Sequence, residues 1–326
     1  MTKSSGTILD GGRRPEGRGA GTVPRTIRFG VSPIAWINDD MPELGADTPL
    51  EQVFSDCRDL GFEGVELGGR FPRDPRVLQP LLRGYGLDLI GGWYSTHLLA
   101  RDANAEIEAL QAHLALLEAM GSTVFIAAEC SNARHGVKTH PLRDQPLVPK
   151  SQWGAFGERL TRVAEYVRHR GLRFAYHFHL GTAVEKPADL DAFVANTNDV
   201  VGFVVDTGHA VLGGNDPVAL IEKHPARVNH IHTKDVRRPI FNDVIASGRS
   251  FLDGVLAGMF TAPGDGEISF GPVMTALERI DYSGWIVIEA EQDPALANPR
   301  DYSALGLSTL RREATSAGLL QPAVAE

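Results

Sequence analysis

Residues 172–206 read LRFAYHFHLGTAVEKPADLDAFVANTNDVVGFVVD. An apolar run, LRFAYHFH (172–179), leads into a helix expected at 187–196 and then into a second apolar run, VGFVVD (201–206). Short β-branched and aromatic runs on either side of an amphipathic helix read as parallel strands joined by a crossover. The unit decides the fold because it recurs. Upstream, the strand candidates IRFGVSPIAW (27–36), GVELGG (64–69), LDLIGGWYS (87–95) and STVFIAAEC (122–130) alternate with helices expected at 49–60, 75–85, 102–119 and 151–170. Thr48 is the expected N-cap of the first of these helices, with Pro49 at its first position. Downstream come RVNHIHTKDV (227–236) and WIVIEAEQ (285–292), with helices expected at 216–223, near 271–280, and from about 301 to 317. Eight strand–helix units without a break in composition predict an α/β fold, a single (β/α)8 TIM barrel spanning 27–317. A doubly wound nucleotide-binding sheet has no support, since no GxGxxG follows the first strand.

The ends differ from this body. Residues 1–26 are rich in Gly, Arg, Ser, Thr and Pro and are expected to be a disordered tail; 318–326 are expected to be a C-terminal tail. Arg13 and Arg14 are adjacent, but no apolar stretch follows to make them a twin-arginine signal. The chain has 326 residues, 43% hydrophobic and 22% charged, with net charge −9. This is an ordinary globular composition. The acidic balance argues against a nucleic-acid partner, and no apolar run is long enough for a membrane span. Two cysteines, Cys57 and Cys130, do not make a disulfide scaffold and suit a cytoplasmic protein. A homo-oligomer is compatible with all of this.

In a barrel, chemistry belongs at the C-terminal ends of the strands. Polar residues collect there. Side chains two apart share a strand face. This pairs His177 with His179, His230 with His232 and Lys234, and Glu289 with Glu291; Asp206 ends its strand in D-T-G-H, with His209 just beyond. Glu129 ends the fourth strand and Glu66 sits in the second. Taken singly, each has a plainer reading: a hydrogen-bonded histidine, or an aspartate capping a helix. Together they are costly to bury unless paired or bound to a cation. A mixed histidine and carboxylate set suits Mn²⁺, Co²⁺, Fe²⁺ or Zn²⁺ with open oxygen positions. The seventh crossover is unusually long. Its 238–266 stretch is expected to be an irregular loop over the mouth of the site, limiting access.

VVDTGHA (204–210), HIHTKDV (230–236) and YSGWIVIEAEQD (282–293), with PIAWINDD (33–40), YHFHLGT (176–182) and SFLDGVLAGMFTAPGDGEISF (250–270), resemble the xylose isomerase-like barrel superfamily, and within it the inosose dehydratase branch. The resemblance covers about residues 28–316 and implies a hydro-lyase. Its substrate would be a polyol ketone, 2-keto-myo-inositol (scyllo-inosose), of myo-inositol catabolism. The cofactor would be a divalent metal ion, Mn²⁺ or Co²⁺ first, polarising the ketone while an α-proton is removed and the β-hydroxyl leaves. It assigns Asp206, His232 and Glu289 as metal ligands. The fourth, usually Glu in the superfamily, falls on His177, with His179 and Glu129 as alternatives. Acid–base candidates are Lys234, Glu291, His179 and Glu129, a lysine beside a metal being expected to have its pKa lowered. Trp36, Asn38, Glu66, His209 and His230 are expected to bind substrate, with Trp93 a further lining candidate. The rivals are a ketose isomerase or epimerase of the same superfamily, an abasic-site endonuclease and a non-catalytic sugar-binding protein.

Overall fold

The computed structural model describes residues 26–320. All but Thr26 of the expected N-terminal tail, and residues 321–326 of the expected C-terminal one, lie outside that range. In chain order the strands are β1 (Ile27–Val31), β2 (Gly64–Val65), β3 (Asp88–Leu89), β4 (Trp93–Thr96), β5 (Val124–Glu129), β6 (Arg173–His177), β7 (Gly202–Asp206), β8 (Val228–Thr233), β9 (Asp235–Val236), β10 (Phe260–Thr261) and β11 (Gly284–Ile288). The helices are α1 (Leu50–Leu60), α2 (Pro75–Gly84), α3 (Ala103–Ala109), α4 (Gln111–Met120), α5 (Trp153–His169), α6 (Pro187–Asn196), α7 (Thr207–Gly213), α8 (Pro217–Lys223), α9 (Arg238–Ser247), α10 (Phe251–Leu256), α11 (Phe270–Arg279) and α12 (Pro299–Ser316).

The main sheet runs β3-β2-β1-β11-β8-β7-β6-β5-β4, with every pairing parallel. Its two ends, β3 and β4, are halves of one strand, so the sheet closes into a barrel. The expected 87–95 strand is interrupted over residues 90–92, where the wall leaves no room for a side chain at Gly91. A Cβ on Gly91 would lie 2.7 Å from the Val124 carbonyl oxygen. The lumen is filled by Ile90, Val124, Ile126, Ala175, Val204, Trp285 and Val287. Trp285 reaches across it. A Cβ on Gly64 would come 2.7 Å from the Trp285 ring, and one on Gly30 only 2.1 Å from Ile90 Cδ1. A separate, larger core lies between the strands and the surrounding helices.

Local chemistry sets most boundaries. Asp74 caps α2 by accepting from Arg76 N (2.9 Å), with Pro75 at the first turn, and Gly61 ends α1 at φ +84°. Four expectations needed correction. The first strand stops at Val31 rather than 36, since Pro33 offers no N–H and a 3-10 turn follows. Pro49, not Thr48, holds the cap position of α1, and it caps with no side chain. The single helix expected over 102–119 is broken at Leu110 into α3 and α4. The 238–266 stretch is not irregular. It folds as α9, α10 and β10, the last forming an antiparallel ribbon with β9 just ahead of the stretch. Asp235 organises that ribbon by accepting from the backbone N–H groups of Val236, Gly264, Gly266 and Ile268 at 2.8–3.0 Å.

The loop after β6 carries a buried acid. Glu185 Oε2 accepts from Gly181 N at 2.8 Å, and burial pushes its pKa up to about 7, against the pull of that bond and of Lys186 and with the push of Asp189. A carboxyl whose folded pKa lies above its unfolded value contributes stability below the unfolded pKa, and that stability is lost as pH rises through the folded pKa. The window here runs from the ordinary glutamate value to about 7. Glu185→Gln keeps an acceptor for Gly181 N and has no proton to lose. Its Tm should exceed the parent's by about 2–5 °C at pH 8 and match it below pH ~4.5. Thermal melts at both pH values check this; an equal offset at both would show that titration is not the cause.

Candidate active site

β6, β7, β8 and β11 are neighbours in the sheet, and their C-terminal ends bring His177, Asp206, His232 and Glu289 together. One ligand atom from each lies within 4.8 Å of the others, and all four side chains are buried. Asp206 Oδ2 stands 3.7 Å from His177 Nε2 and 3.7 Å from His232 Nδ1. His232 Nδ1 is 2.7 Å from Glu289 Oε2, yet its geometry is not that of a hydrogen bond. Asp206 Oδ2 and His232 Nδ1 are therefore buried and unsatisfied. The plainer reading of D-T-G-H, a helix cap, holds. Asp206 Oδ1 caps α7 by accepting from His209 N at 2.8 Å, while Oδ2 faces the cluster.

Cationic neighbours keep the buried carboxylates ionised. Lys234 and His232 hold Asp206 and Glu289 below the usual carboxylate range despite their burial. Glu66 is likewise held low, burial being outweighed by His232 and His230. Burial alone would lower His232, but Glu66 and Glu289 lift it well above an ordinary histidine. Convergent nitrogen and carboxylate donors, two of them orphaned, fit a divalent ion.

Lys234 is fully buried behind these carboxylates. Its Nζ lies 2.7 Å from Glu289 Oε1, 3.0 Å from His209 Nε2, 3.5 Å from Glu291 Oε2 and 3.8 Å from Asp206 Oδ2. Burial lowers its pKa, but Glu289, Asp206 and Glu291 outweigh that and raise it above the ordinary lysine value. Lys234 is not on the cavity wall, so it acts through the carboxylates it pairs with.

The cavity above the cluster has a volume of about 670 Å³. Glu66, His179, His232, Glu289 and Glu291 reach it, as do Asn38 and Trp93. Glu291 Oε1 is buried without a partner, and burial pushes Glu291 up to about 8, opposed by Lys234 and helped by Asp40 and Glu289. His179 Nδ1 lies 2.7 Å from the Leu180 carbonyl, which can only accept, so Nδ1 carries the ring proton. Burial and the neighbouring His135, His177 and Lys234 hold its pKa well below the ordinary value. His179 is therefore a neutral ring whose Nε2 is an acceptor. Asn38 Oδ1 accepts from Asp40 N and Met41 N, leaving Nδ2 buried and unpaired.

Four residues expected in the site stand off the cavity wall. Trp36 donates from Nε1 to Asp56 Oδ2 (3.0 Å) and is anchored to α1, away from the cavity. Glu129 spends both oxygens on the chain around it: Oε2 accepts from Thr96 Oγ1 and Leu98 N, and Oε1 from Ser131 N. It is in none of the groups that converge at the strand ends and does not line the cavity. His209 and His230 are buried off the cavity wall; the first contacts Lys234 and the second donates from Nε2 to Glu66 Oε1 at 2.8 Å. Sequence reading missed His135, Asp39, Asp40 and Arg73, all on the wall. The two aspartates stand in the PIAWINDD stretch, and their signal was only that they follow a barrel strand. The 238–266 insert does sit at the C-terminal end of the barrel. Phe251 packs on His179 (5.1 Å between ring centres), and Phe260 lies 4.5 Å below Lys234 Nζ.

Residues 54–313 match the family described as xylose isomerase-like TIM barrel. The rhizopine catabolism protein MocC of Rhizobium meliloti is 42% identical, covering 90% of each chain. Inosose dehydratase of Erwinia tasmaniensis is 39% identical, covering 88% of this chain and 98% of its own. The solved structure of IOLI protein with a binding zinc atom shares the fold at a TM-score of 0.62 and 14% identity, covering 89% of this chain and 97% of that one. The closed parallel barrel, the polar cluster at its strand ends and these relatives agree: the chain belongs to the xylose isomerase-like TIM barrel family.

Proposed function

We propose that the protein is a hydro-lyase that removes water from an inosose, using a divalent cation held by His177, Asp206, His232 and Glu289. The substrate class is supported by the inosose dehydratases among its relatives. The observation that carries the metal reading is the pair of buried, unpaired atoms, Asp206 Oδ2 and His232 Nδ1, facing one another. When bound, the cation supplies Lewis-acid polarisation of the ketone oxygen, worth several kcal/mol.

The cavity suits a ring with hydroxyls on its rim. Trp93 offers an aromatic face beside His177 and His179, at 5.5 and 5.6 Å between ring centres. Asn38 Nδ2 offers a donor and His179 Nε2 an acceptor. Glu291 is the base. Its unpaired Oε1 takes the proton α to the ketone, breaking C–H and forming O–H. The β C–O bond then breaks, and the departing hydroxyl takes that proton and leaves as water, returning Glu291 to the carboxylate. A neutral His179 with its proton on Nδ1 cannot serve as the acid.

The test uses metal-stripped protein and scyllo-inosose, with Mn²⁺, Co²⁺, Mg²⁺ or Zn²⁺ added back and dione absorbance followed. Turnover should appear only with an ion. An epimer without dione would move the reading to an isomerase or epimerase, and full activity in the stripped protein would remove the metal.

A further inference from the structure

We infer that Glu66 is a positioning residue that fixes which nitrogen of His232 faces the cation. The inference rests on the metal reading above and extends it to a residue outside the ligand set. The two histidines of the cluster present opposite ring nitrogens. His177 Nδ1 lies 3.0 Å from the Phe178 carbonyl and its Nε2 faces Asp206. His232 Nε2 lies 2.9 Å from Glu66 Oε1 and its Nδ1 faces Asp206 and Glu289. An ionised carboxylate only accepts hydrogen bonds, so the nitrogen touching Glu66 carries the hydrogen. In a neutral imidazole the lone pair is then on Nδ1, where the cluster needs it.

Glu66 is itself held in place. The same Oε1 accepts from His230 Nε2 at 2.8 Å, so one oxygen takes two imidazoles from a single strand face. His230 and His232 stand two apart on β8, while Glu66 follows β2, on the far side of β1 and β11. The carboxylate crosses two strands to reach them. A residue needed only for local packing would not require that span. A carboxylate behind a ligating histidine orients the ring and raises its basicity, and its loss costs about 10–100-fold in metal affinity.

The test is Co²⁺ binding to the full chain, measured by competition with a chelator and by the visible absorption of the bound ion. Circular dichroism confirms that each variant folds. Glu66→Ala should weaken binding ~10–100-fold and change the spectrum. Glu66→Gln keeps an accepting oxygen at the same reach and should stay within about threefold of the parent, with the parent's spectrum. Glu66→Asp keeps the charge but draws it back by one methylene, and should weaken binding as Ala does. Asp binding like the parent, or Gln as weak as Ala, would mean that charge alone matters and would overturn the inference. So would an Ala variant with unchanged affinity and spectrum. A parent protein that binds no Co²⁺ would instead bring down the metal reading, and the inference with it.

Discussion

Asp206→Asn, His232→Ala and Glu289→Ala are each expected to lower kcat/KM by about 10³-fold or more. A Lewis-acid contribution of several kcal/mol at ~1.4 kcal/mol per decade sets that scale. The choice of replacement follows from the hydrogen bonds. Asp206 Oδ1 caps α7, and alanine there would add the loss of a cap, about 1 kcal/mol, to the loss of a ligand. Asparagine keeps the cap acceptor and removes the charge. His232→Ala leaves Glu66 its second partner, His230. Glu289→Ala leaves Lys234 with Asp206 and Glu291 still within 4 Å. All three should therefore fold. Kinetics, metal titration and circular dichroism on the same samples check this. Turnover within tenfold of the parent in folded variants would refute the shared metal site.

Glu291→Gln is the second large effect, expected at about 10²–10⁴-fold in kcat, the usual scale of a general base. The carboxamide has the same shape, and Lys234 keeps its contacts to Glu289 and Asp206. Glu291 also gives the reaction its pH profile. A base must be ionised, and burial raises this one to about 8 when no ion is bound. A bound cation pulls that value down. In the parent, kcat/KM should climb with pH and level off between the ordinary glutamate value and about 8. In Glu291→Gln the climb should vanish. A variant that keeps the same ascending limb would show that another group is the base.

The barrel was readable because each strand–helix unit is local: apolar run, turn, amphipathic stretch, glycine stop. The ligand set was readable for a related reason. Strand alternation and closure bring the ends of β6, β7, β8 and β11 together, while the resemblance assigned Asp206, His232 and Glu289 and left the fourth position among His177, His179 and Glu129; the structure places His177 beside the other three. The failures are tertiary. Trp36 stands five residues after β1, but its indole N–H finds Asp56 on α1. Glu129 ends a strand as Glu289 follows one, yet its carboxylate turns into the 96–98 and 129–131 backbone. Nothing local separates those two glutamates. His135 and Arg73 were missed because loop residues carry no periodicity to place them. The insert looked irregular because Asp235, which gathers the amides of Gly264 and Gly266 from it, is distant in sequence from both.

Trp285 and the glycines opposite it tie distant positions of the sequence to one another. With Gly64 only 2.7 Å from the indole at the point a Cβ would occupy, an alanine there is refused while Trp285 stands. A smaller residue at 285 would leave a void in the lumen, at a cost that grows with its volume. Shrinking residue 285 does not by itself free position 64, since the same Cβ would still lie 2.9 Å from the Asp88 carbonyl oxygen and 2.9 Å from Ile90 Cγ1. Position 64 should therefore stay glycine among the chain's kin whatever stands at 285, held by partners that lie on two other strands of the wall.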